Sequence, residues 1–295
     1  MNLLFISNLQ LNNVNKMNPL EIKELLILIC TELSIYQDII NMGAVSKYYY
    51  EMIKINKWNH LTIRLGTEKN LSLMRKNYNF SNLNLVNTNV TDASVSQLTN
   101  LHTLNLWKTN VSDASVSLLT KLHTLYLYNT EVTDASVSRL TNLHRLYVGW
   151  TKVTDASISR LTNLHTLDLR STKVTDASIS LLTNLHTLFI CNTLVTNASV
   201  SRLTNLHTLY LSKTAVTDAS ISLLTNLHTL HLGYTSVTDA SVFRLTNLHT
   251  LILWGTKVTD ASVSRLTNLH KLNLWDTKVT DECEQILRIK NVMLE

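Results

Sequence analysis

The sequence predicts an α/β protein built mainly as a solenoid of short stacked strands, with a small all-α segment in front of it. The first observation behind this fold class is a 21-residue pattern that returns ten times across residues 80–289. Self-similarity at a fixed period is typical of solenoid architectures. The second observation is that residues 17–58 lack the pattern and are densely apolar, which indicates a separate helical module.

The repeated pattern reads Leu-x-x-Leu-x-Leu-x-x-Thr-x-Val, as in residues 101–111. Leu104 and Leu106 alternate with other residue types, and this period of two predicts a short strand whose leucines face the core. Ser112 and Asp113 then predict a brief helix, because a hydroxyl can cap free amides and a carboxylate is favoured at the positive helix end. One coil cannot bury its own leucines, so the coils are expected to stack on one another.

Through this pattern, residues 80–289 resemble the leucine-rich-repeat family. The resemblance implies a curved solenoid with a parallel sheet on its concave side and short helical or irregular segments on its convex side. The ninth position departs from the family, since threonine stands where asparagine is usual, as at Thr109 and Thr130. We expect the threonine hydroxyls to form a hydrogen-bond ladder comparable to that of the family's asparagines.

Variation between the repeats is concentrated at the fifth, seventh, eighth and tenth positions, on the outward side of each strand and in the turn after it. Four of the five tryptophans lie there, and this face carries nine basic and three acidic residues. Aromatic residues and arginine are enriched in protein–protein interfaces. We therefore predict that a target protein with an acidic patch binds this face; the alternative is that the repeats have drifted and the aromatic residues only cover the sheet. The predicted target-binding residues are Trp107, Lys108, Tyr126, Tyr128, Tyr147, Trp150, Arg170, Phe189, Tyr210, Lys213, Tyr234, Trp254 and Trp275.

A column of histidines forms a second regular feature, because nine of the eleven histidines occupy the second repeat position. Stacked histidines could bind a metal ion or respond to pH. However, no column of Cys, Asp or Glu accompanies the histidines to complete a metal site, and duplication alone explains their recurrence. We therefore predict no metal site and no cofactor. The nine residues are His102, His123, His144, His165, His186, His207, His228, His249 and His270.

The N-terminal segment begins with a helix-start signal: Asn18 can cap, Pro19 suits the first helical position and Glu21 can close a capping box. Four short motifs of residues 17–58 follow one another in an order and spacing that resemble the F-box family. These motifs are Pro19-Leu20-Glu21-Ile22, Asp38-Ile39-Ile40, Val45-Ser46-Lys47 with Tyr50, and the closing Trp58. One departure is Tyr49-Tyr50, where the family often has Trp or Phe.

The F-box resemblance implies docking onto the small adaptor subunit of a cullin–RING (SCF-type) ubiquitin ligase, while the repeats behind it hold the substrate. The alternative is that this segment is only a helical cap, which every solenoid needs. The residues implied to contact the adaptor are Pro19, Leu20, Ile22, Ile39, Ile40 and Val45.

The domain organisation follows from these patterns. The C-terminal stretch has lost the repeat code, and we expect Ile286, Leu287 and Ile289 to cover the last coil. An irregular first strand is expected at Leu61–Leu65. The expected segments are a disordered leader (1–16), the F-box-like module (17–58), a bridge and N-terminal cap (59–79), ten repeats (80–289) and the tail of the closing cap (290–295).

Composition and motifs bear on the function class. No glycine-rich phosphate loop, nucleophile elbow or zinc-protease motif is present, so no enzymatic activity is predicted. The net charge of +5 is too small for a nucleic-acid-binding arm, although the aromatic and basic strip keeps stacking on RNA as a third hypothesis. Three widely spaced cysteines indicate a reducing compartment, cytoplasmic or nuclear. No signal peptide or membrane-spanning segment is recognised.

The function predicted from the sequence is therefore that of a monomeric, non-enzymatic adaptor: the substrate-recognition subunit of an SCF-type ubiquitin ligase. The alternative is a stand-alone leucine-rich-repeat binding protein, such as an inhibitor or decoy. F-box modules beside recently copied repeats are similar to those of large DNA viruses of amoebae, which would place the protein in a host cytoplasm.

Overall fold

The computed structural model describes residues 57–64 and 79–294, and the chain divides into two units, residues 1–84 and 85–295. The expected leader and most of the F-box-like module lie outside the described residues and stay predictions. The same holds for the predicted adaptor-binding residues Pro19, Leu20, Ile22, Ile39, Ile40 and Val45.

In the first unit, strand β1 (Lys57–Arg64) pairs in parallel with strand β2 (Asn79–Asn84). The register shifts between Trp58 and Thr62, so this pairing is irregular. The sequence predicts an irregular strand at Leu61–Leu65; β1 covers most of that range but begins earlier. Trp58, which the F-box resemblance places at the end of the helical module, lies within β1.

The second unit contains a parallel sheet in which each strand pairs with its neighbours in chain order, as the repeat predicts. Short helices connect the strands. The strands are β3 (Thr103–Asn105), β4 (Thr124–Tyr126), β5 (Arg145–Tyr147), β6 (Thr166–Asp168), β7 (Thr187–Phe189), β8 (Thr208–Tyr210), β9 (Thr229–His231), β10 (Thr250–Ile252), β11 (Lys271–Asn273) and β12 (Met293–Leu294). The helices are α1 (Asp92–Val95), α2 (Asp113–Val116), α3 (Asp134–Val137), α4 (Asp155–Ile158), α5 (Asp176–Ile179), α6 (Asn197–Val200), α7 (Asp218–Ile221), α8 (Asp239–Val242), α9 (Asp260–Val263) and α10 (Asp281–Ile289).

The core of the second unit consists of leucine and valine columns, one side chain from each coil. Leu104 in β3 and Leu106 after it are fully buried, whereas Thr103 and Asn105 are only partly buried. This alternation is the one that the period of two predicts. Burial of such a side chain is worth about 1.5–3 kcal/mol, so the stacked columns are the main source of stability.

The nine helices α1–α9 are single turns of four residues. In α2, the Ser112 hydroxyl accepts a hydrogen bond from the Ala114 N–H, and the equivalent Ser or Thr hydroxyl does so in α3–α9. Serine-rich sequence is a weak helix former, which explains why these helices end after one turn. The predicted brief, hydroxyl-capped helix is therefore confirmed.

The aspartate after each cap residue joins neighbouring coils, which the sequence interpretation missed. The Asp113 carboxylate accepts hydrogen bonds from the Thr133 N–H (2.9 Å), the Thr133 hydroxyl (2.6 Å) and the Ser136 hydroxyl (2.5 Å) of the next coil. Similar bonds to the next coil recur along the array. This feature, called the Asp ladder below, comprises Asp92, Asp113, Asp134, Asp155, Asp176, Asn197, Asp218, Asp239 and Asp260.

The expected threonine ladder is wrong. The Thr109 hydroxyl, at the ninth position, donates to the carbonyl three residues earlier in its own coil, that of Leu106, at 2.7 Å. Eight other threonines at this position do the same, while the buried Thr256 hydroxyl has no partner among the described residues. A threonine side chain is too short to reach the next coil, so it fixes the turn and leaves the inter-coil bonding to the Asp ladder.

Acidification should destabilise the array through the Asp ladder. Burial raises the pKa of Asp113 and Asp176, but hydrogen bonds from serine and threonine of the next coil outweigh it and lower the pKa below the ordinary 3.8. A lowered pKa in the folded state gives stability that is present above about pH 4 and lost as the pH falls through the folded-state pKa. We expect the urea midpoint to fall steeply below about pH 4. A control, Asp113→Asn, should show a shallower fall; a midpoint independent of pH from 5 to 2 would contradict this origin.

The closing cap confirms its prediction at Leu287 but not at Ile286 and Ile289. Helix α10 buries Leu287 and Cys283, and Val292 before β12 is also buried. By contrast, Ile286 and Ile289 are 48% and 80% exposed, so they do not cover the last coil. One face of a helix repeats every 3.6 residues, and Cys283 and Leu287 share the inward face.

In the described part of the chain, no helix is long and apolar enough to cross a bilayer.

Candidate functional site

The strand face consists of the outward side chains of β3–β11 and of the turns after these strands, and it contains all thirteen predicted target-binding residues. Five of its large side chains are exposed: Trp107 by 42%, Trp150 by 52%, Tyr234 by 44%, Trp254 by 39% and Trp275 by 62%. A single exposed apolar residue needs no explanation, but several on one face are characteristic of interaction surfaces.

The eighth repeat position lies in a left-handed turn, with φ between 52° and 58° in every coil from Asn87 to Asp276. Glycine and asparagine adopt this conformation readily, whereas bulky residues there are outliers that cost on the order of 1–3 kcal/mol. Trp150 and Tyr234 nevertheless occupy it, both with φ 56°. Strained backbone of this kind concentrates at ligand-binding sites, so both residues are functional candidates.

The N-terminal aromatic cluster joins nine of the predicted residues through direct ring and cation contacts. Tyr126 and Tyr147 stack with centroids 4.3 Å apart, and Tyr128 meets Trp107 at 6.1 Å and Trp150 at 5.9 Å. Such ring pairs stabilise beyond the area that they bury. The members are Trp107, Lys108, Tyr126, Tyr128, Tyr147, Trp150, Arg170, Phe189 and Tyr210.

Arg170 is held rigidly at the centre of this cluster. Its Nε lies 3.0 and 2.9 Å from the two carboxylate oxygens of Asp168, a residue that is only 1% exposed. Its Nη2 donates to the Tyr128 hydroxyl at 3.0 Å, and this hydroxyl donates to Asp168. The guanidinium also lies 5.2 Å from the Trp150 ring and 5.4 Å from the Phe189 ring. These contacts leave the guanidinium little freedom to rotate.

A glycine makes the hydrogen bond between Tyr128 and Asp168 possible. The two residues lie two coils apart, so the Tyr128 ring must cross the coil between them. It crosses at Gly149, where an added Cβ would lie 2.9 Å from the Tyr128 Cε1 atom. Any larger residue at position 149 would therefore push this ring away from Asp168.

The protonation states of this network are fixed near neutral pH. Burial, together with the hydrogen bond and negative charge of Asp168, raises the pKa of Tyr128 well above its usual value. Burial opposes the charge of Arg170, but its hydrogen bonds and ion pair with Asp168 raise its pKa further. Tyr128 therefore stays a hydroxyl donor and Arg170 stays a cation.

A pocket of about 620 Å³ opens beside Arg170. This volume lies within the range of ordinary ligand-binding clefts. The Lys108 ammonium lies 5.4 Å from the Trp107 ring and pairs with no carboxylate of a described residue. The Nη1 group of Arg170 likewise makes no hydrogen bond to the described part of the chain. The pocket is lined by Trp107, Lys108, Tyr128, Asn129, Trp150 and Arg170.

The C-terminal aromatic cluster holds the other four predicted residues: Lys213, Tyr234, Trp254 and Trp275. Tyr234 contacts Trp275 edge to face at 6.4 Å, and the Lys213 ammonium lies 5.6 Å from the Tyr234 ring. The Tyr234 ring again lies over a glycine, since a Cβ on Gly255 would be 2.7 Å from its Cδ1 atom. The ring and cation contacts thus define two aromatic clusters on the strand face, and the stack of Tyr210 on His231 (3.6 Å) extends the first of them into the coil that contains Tyr234.

The histidine column is exposed along its whole length, and neighbouring ring centroids are 5.1 to 5.5 Å apart. Burial and the neighbouring His102 and His144 lower the pKa of His123. No group of three His, Cys, Asp or Glu among residues 57–64 and 79–294 is placed to hold a metal ion.

The sequence interpretation overlooked Asp168, Gly149 and Asn129 as parts of this site. Two of them did leave a signal: Asp168 is the only acid at a repeat position otherwise rich in aromatic residues, and Gly149 is one of five glycines in the chain. The sequence did not show that Tyr128, one coil before Gly149, crosses this glycine and reaches Asp168, one coil after it.

Comparisons with known proteins define the fold. An internalin from Listeria monocytogenes matches with a TM-score of 0.59 and 20% identity, over 84% of this chain and 88% of that chain. The leucine-rich-repeat ectodomain of the Arabidopsis receptor kinase HAESA, in complex with an N-terminally extended IDA peptide hormone, matches with a TM-score of 0.54 and 18% identity, over 74% of this chain and 41% of that chain. No protein-family model and no curated protein matches the sequence. The second unit therefore has the leucine-rich-repeat fold, as its sequence predicts.

Proposed function

We propose that this protein is a non-enzymatic adaptor that binds a partner protein on its strand face. The observation that best supports this role is the N-terminal aromatic cluster, in which exposed tryptophans surround an arginine held by a buried carboxylate. Tryptophan, tyrosine and arginine are the residues most enriched among binding hot spots. The same positions vary from coil to coil while the stacking positions scarcely change, so they are free of a structural duty.

The finer proposal is that the protein is a substrate receptor of an SCF-type ubiquitin ligase. Its support is the F-box resemblance of residues 17–58, which begins at Pro19 and Leu20. The F-box-like module would dock onto the small adaptor subunit, and the strand face would hold the target. Catalysis then follows from the raised effective concentration of the target near the ligase. This role places the protein inside the cell, or in a host cytoplasm if the chain is viral.

The second candidate is a stand-alone binding protein, an inhibitor or decoy, in which residues 17–58 are only a cap. The HAESA ectodomain carries a peptide hormone on the same fold, so binding by this fold alone has a precedent. The two candidates share the strand face and differ only in whether a ligase adaptor binds.

Pull-down of the full chain with purified adaptor subunit separates these candidates. We expect the wild type to retain the adaptor, and a double variant, Pro19→Ala with Leu20→Ala, to lose at least about tenfold in affinity, as expected when interface hot spots are truncated. Trp275→Ala is the matched control, since it lies on the strand face and should bind the adaptor like the wild type. A folded wild type that does not bind the adaptor would leave the stand-alone binder.

A further inference from the structure

We propose that the pocket of the N-terminal aromatic cluster binds an acidic segment of the partner protein, with an Asp or Glu carboxylate held between Lys108 and Arg170. This inference rests on the proposed function, because it names the chemistry that the strand face recognises. The inferred occupant is a carboxylate beside an apolar side chain: the carboxylate meets the two cations, and the apolar group covers the exposed indole rings.

The charges of the pocket favour an acidic occupant. Lys108 and Arg170 are both cations, and none of the six lining residues is acidic. The nearest carboxylate, Asp168, is 1% exposed and is engaged by Arg170 and Tyr128. It neutralises one of the two positive charges, so one remains uncompensated. A carboxylate entering the pocket therefore meets a net positive charge rather than a repelling acid.

The Arg170 guanidinium is preorganised to bind a carboxylate. Asp168 and Tyr128 take the Nε and Nη2 donors, which leaves the Nη1 donors without a hydrogen bond to a described residue. The rings of Trp150 and Phe189 lie against the guanidinium. Because the side chain is already immobilised, binding costs little further conformational entropy. Hydrogen bonds between a charged donor and a carboxylate are also among the strongest that proteins form.

The tryptophans require an apolar part of the same ligand. Trp107 and Trp150 line the pocket and are 42% and 52% exposed. Trp150 also occupies a turn that disfavours bulky side chains, although Asn129 holds the same turn one coil before it and Asn192 holds it two coils after it. A purely acidic ligand would leave these rings bare, and a purely apolar one would leave Lys108 and Arg170 unused. An acidic residue next to an apolar one uses both.

The test uses a phage-displayed library of random short peptides against the full chain. We expect the selected peptides to share an Asp or Glu next to a large apolar residue. A synthetic copy of the leading peptide should lose at least about tenfold in affinity to the Trp150→Asn variant and to the Arg170→Lys variant. Exchanging its acidic residue for the neutral amide should cause a loss of similar size.

The matched control is Tyr234→Asn, which removes an exposed aromatic residue from the same kind of left-handed turn. Tyr234 lies four coils from Trp150, about 19 Å at ordinary strand spacing. Its loss should change the affinity by no more than about twofold, because distant sites act independently. Asparagine suits the turn, so both asparagine variants should melt no lower than the wild type.

Three results would overturn the inference: no enriched peptide, enriched peptides without an acidic residue, or equal affinity of wild type, Trp150→Asn and Arg170→Lys. Peptides that depend on Tyr234 but not on Trp150 would place binding at the C-terminal aromatic cluster. In that case the proposed function would stand and only the inference about this pocket would fall.

Discussion

Replacing Leu167 with alanine is expected to lower the free energy of unfolding by about 3–4 kcal/mol, the usual cost of truncating a fully buried leucine. Leu167 lies in β6 with no exposed surface, between its register partners Leu146 and Leu188 in the adjacent strands. The repeat fixes the backbones on both sides, so the cavity can collapse only slightly. Urea titration followed by circular dichroism measures the loss.

The position of Leu167 in the middle of the array adds a second expectation. Each coil contacts chiefly its neighbours, so a weakened central interface should uncouple the two halves and broaden the transition. The control is Leu194→Ala, which removes a leucine that is 66% exposed and should change stability by less than about 0.5 kcal/mol. Equal losses from the two variants would contradict the assignment of the core.

Asp113→Ala should destabilise the protein by about 2–3 kcal/mol, because it removes hydrogen bonds to a charged group and leaves buried donors without it. The Ser136 hydroxyl, in a residue with no exposed surface, loses its 2.5 Å partner, and the Thr133 N–H loses its acceptor. The expected loss of stability is large for a single carboxylate near the surface, because the hydrogen bonds of this carboxylate join two neighbouring coils. Thermal melting at pH 7 is the measurement.

Asn197 provides an internal control for this prediction. It stands in the Asp ladder where the other coils have aspartate; its Oδ1 accepts from the Thr217 N–H at 3.0 Å and the Ser220 hydroxyl at 2.7 Å. Asp113→Asn should therefore retain most of the stability that Asp113→Ala loses. If both variants melt at the same temperature, the carboxylate acts by its charge and the hydrogen-bond explanation is wrong.

The fold of the second unit was predictable because its signals are local and repeated ten times. Alternating leucines specify the strand, and Ser112 before Asp113 specifies the helix start. The partners of these groups were harder to predict. Thr109 and Asp113 are both polar residues at positions that change little between coils, and the sequence does not say which side chain spans the gap to the next coil. The length and direction of the side chain decide which residue joins the coils, and here Asp113 reaches the next coil whereas Thr109 does not.

The candidate site was predictable as a set of residues but not as an arrangement. Exposed positions that vary between coils identified Trp150 and Arg170. Their grouping depends on contacts across one or two coils, such as that of Tyr128 with Asp168 over Gly149. Such contacts involve residues about 40 positions apart, and no local pattern encodes them. The C-terminal cap was predicted correctly at Leu287 but not at Ile286 and Ile289, because the helical period places Leu287 with Cys283 on the inward face and leaves the two isoleucines exposed.

The crossing of Gly149 by Tyr128 also means that the strand face is less modular than the backbone that carries it. Nearly identical 21-residue units invite unequal recombination, and a backbone of stacked coils can gain or lose one unit with little penalty. Loss of the coil that contains Gly149 would instead bring Tyr128 into the coil next to Asp168, with no spacer for its ring to cross. The number of repeats can therefore change over much of the array without harm to folding. Between residues 128 and 170 it is constrained, because the site requires Tyr128 to lie two coils before Asp168 and Arg170.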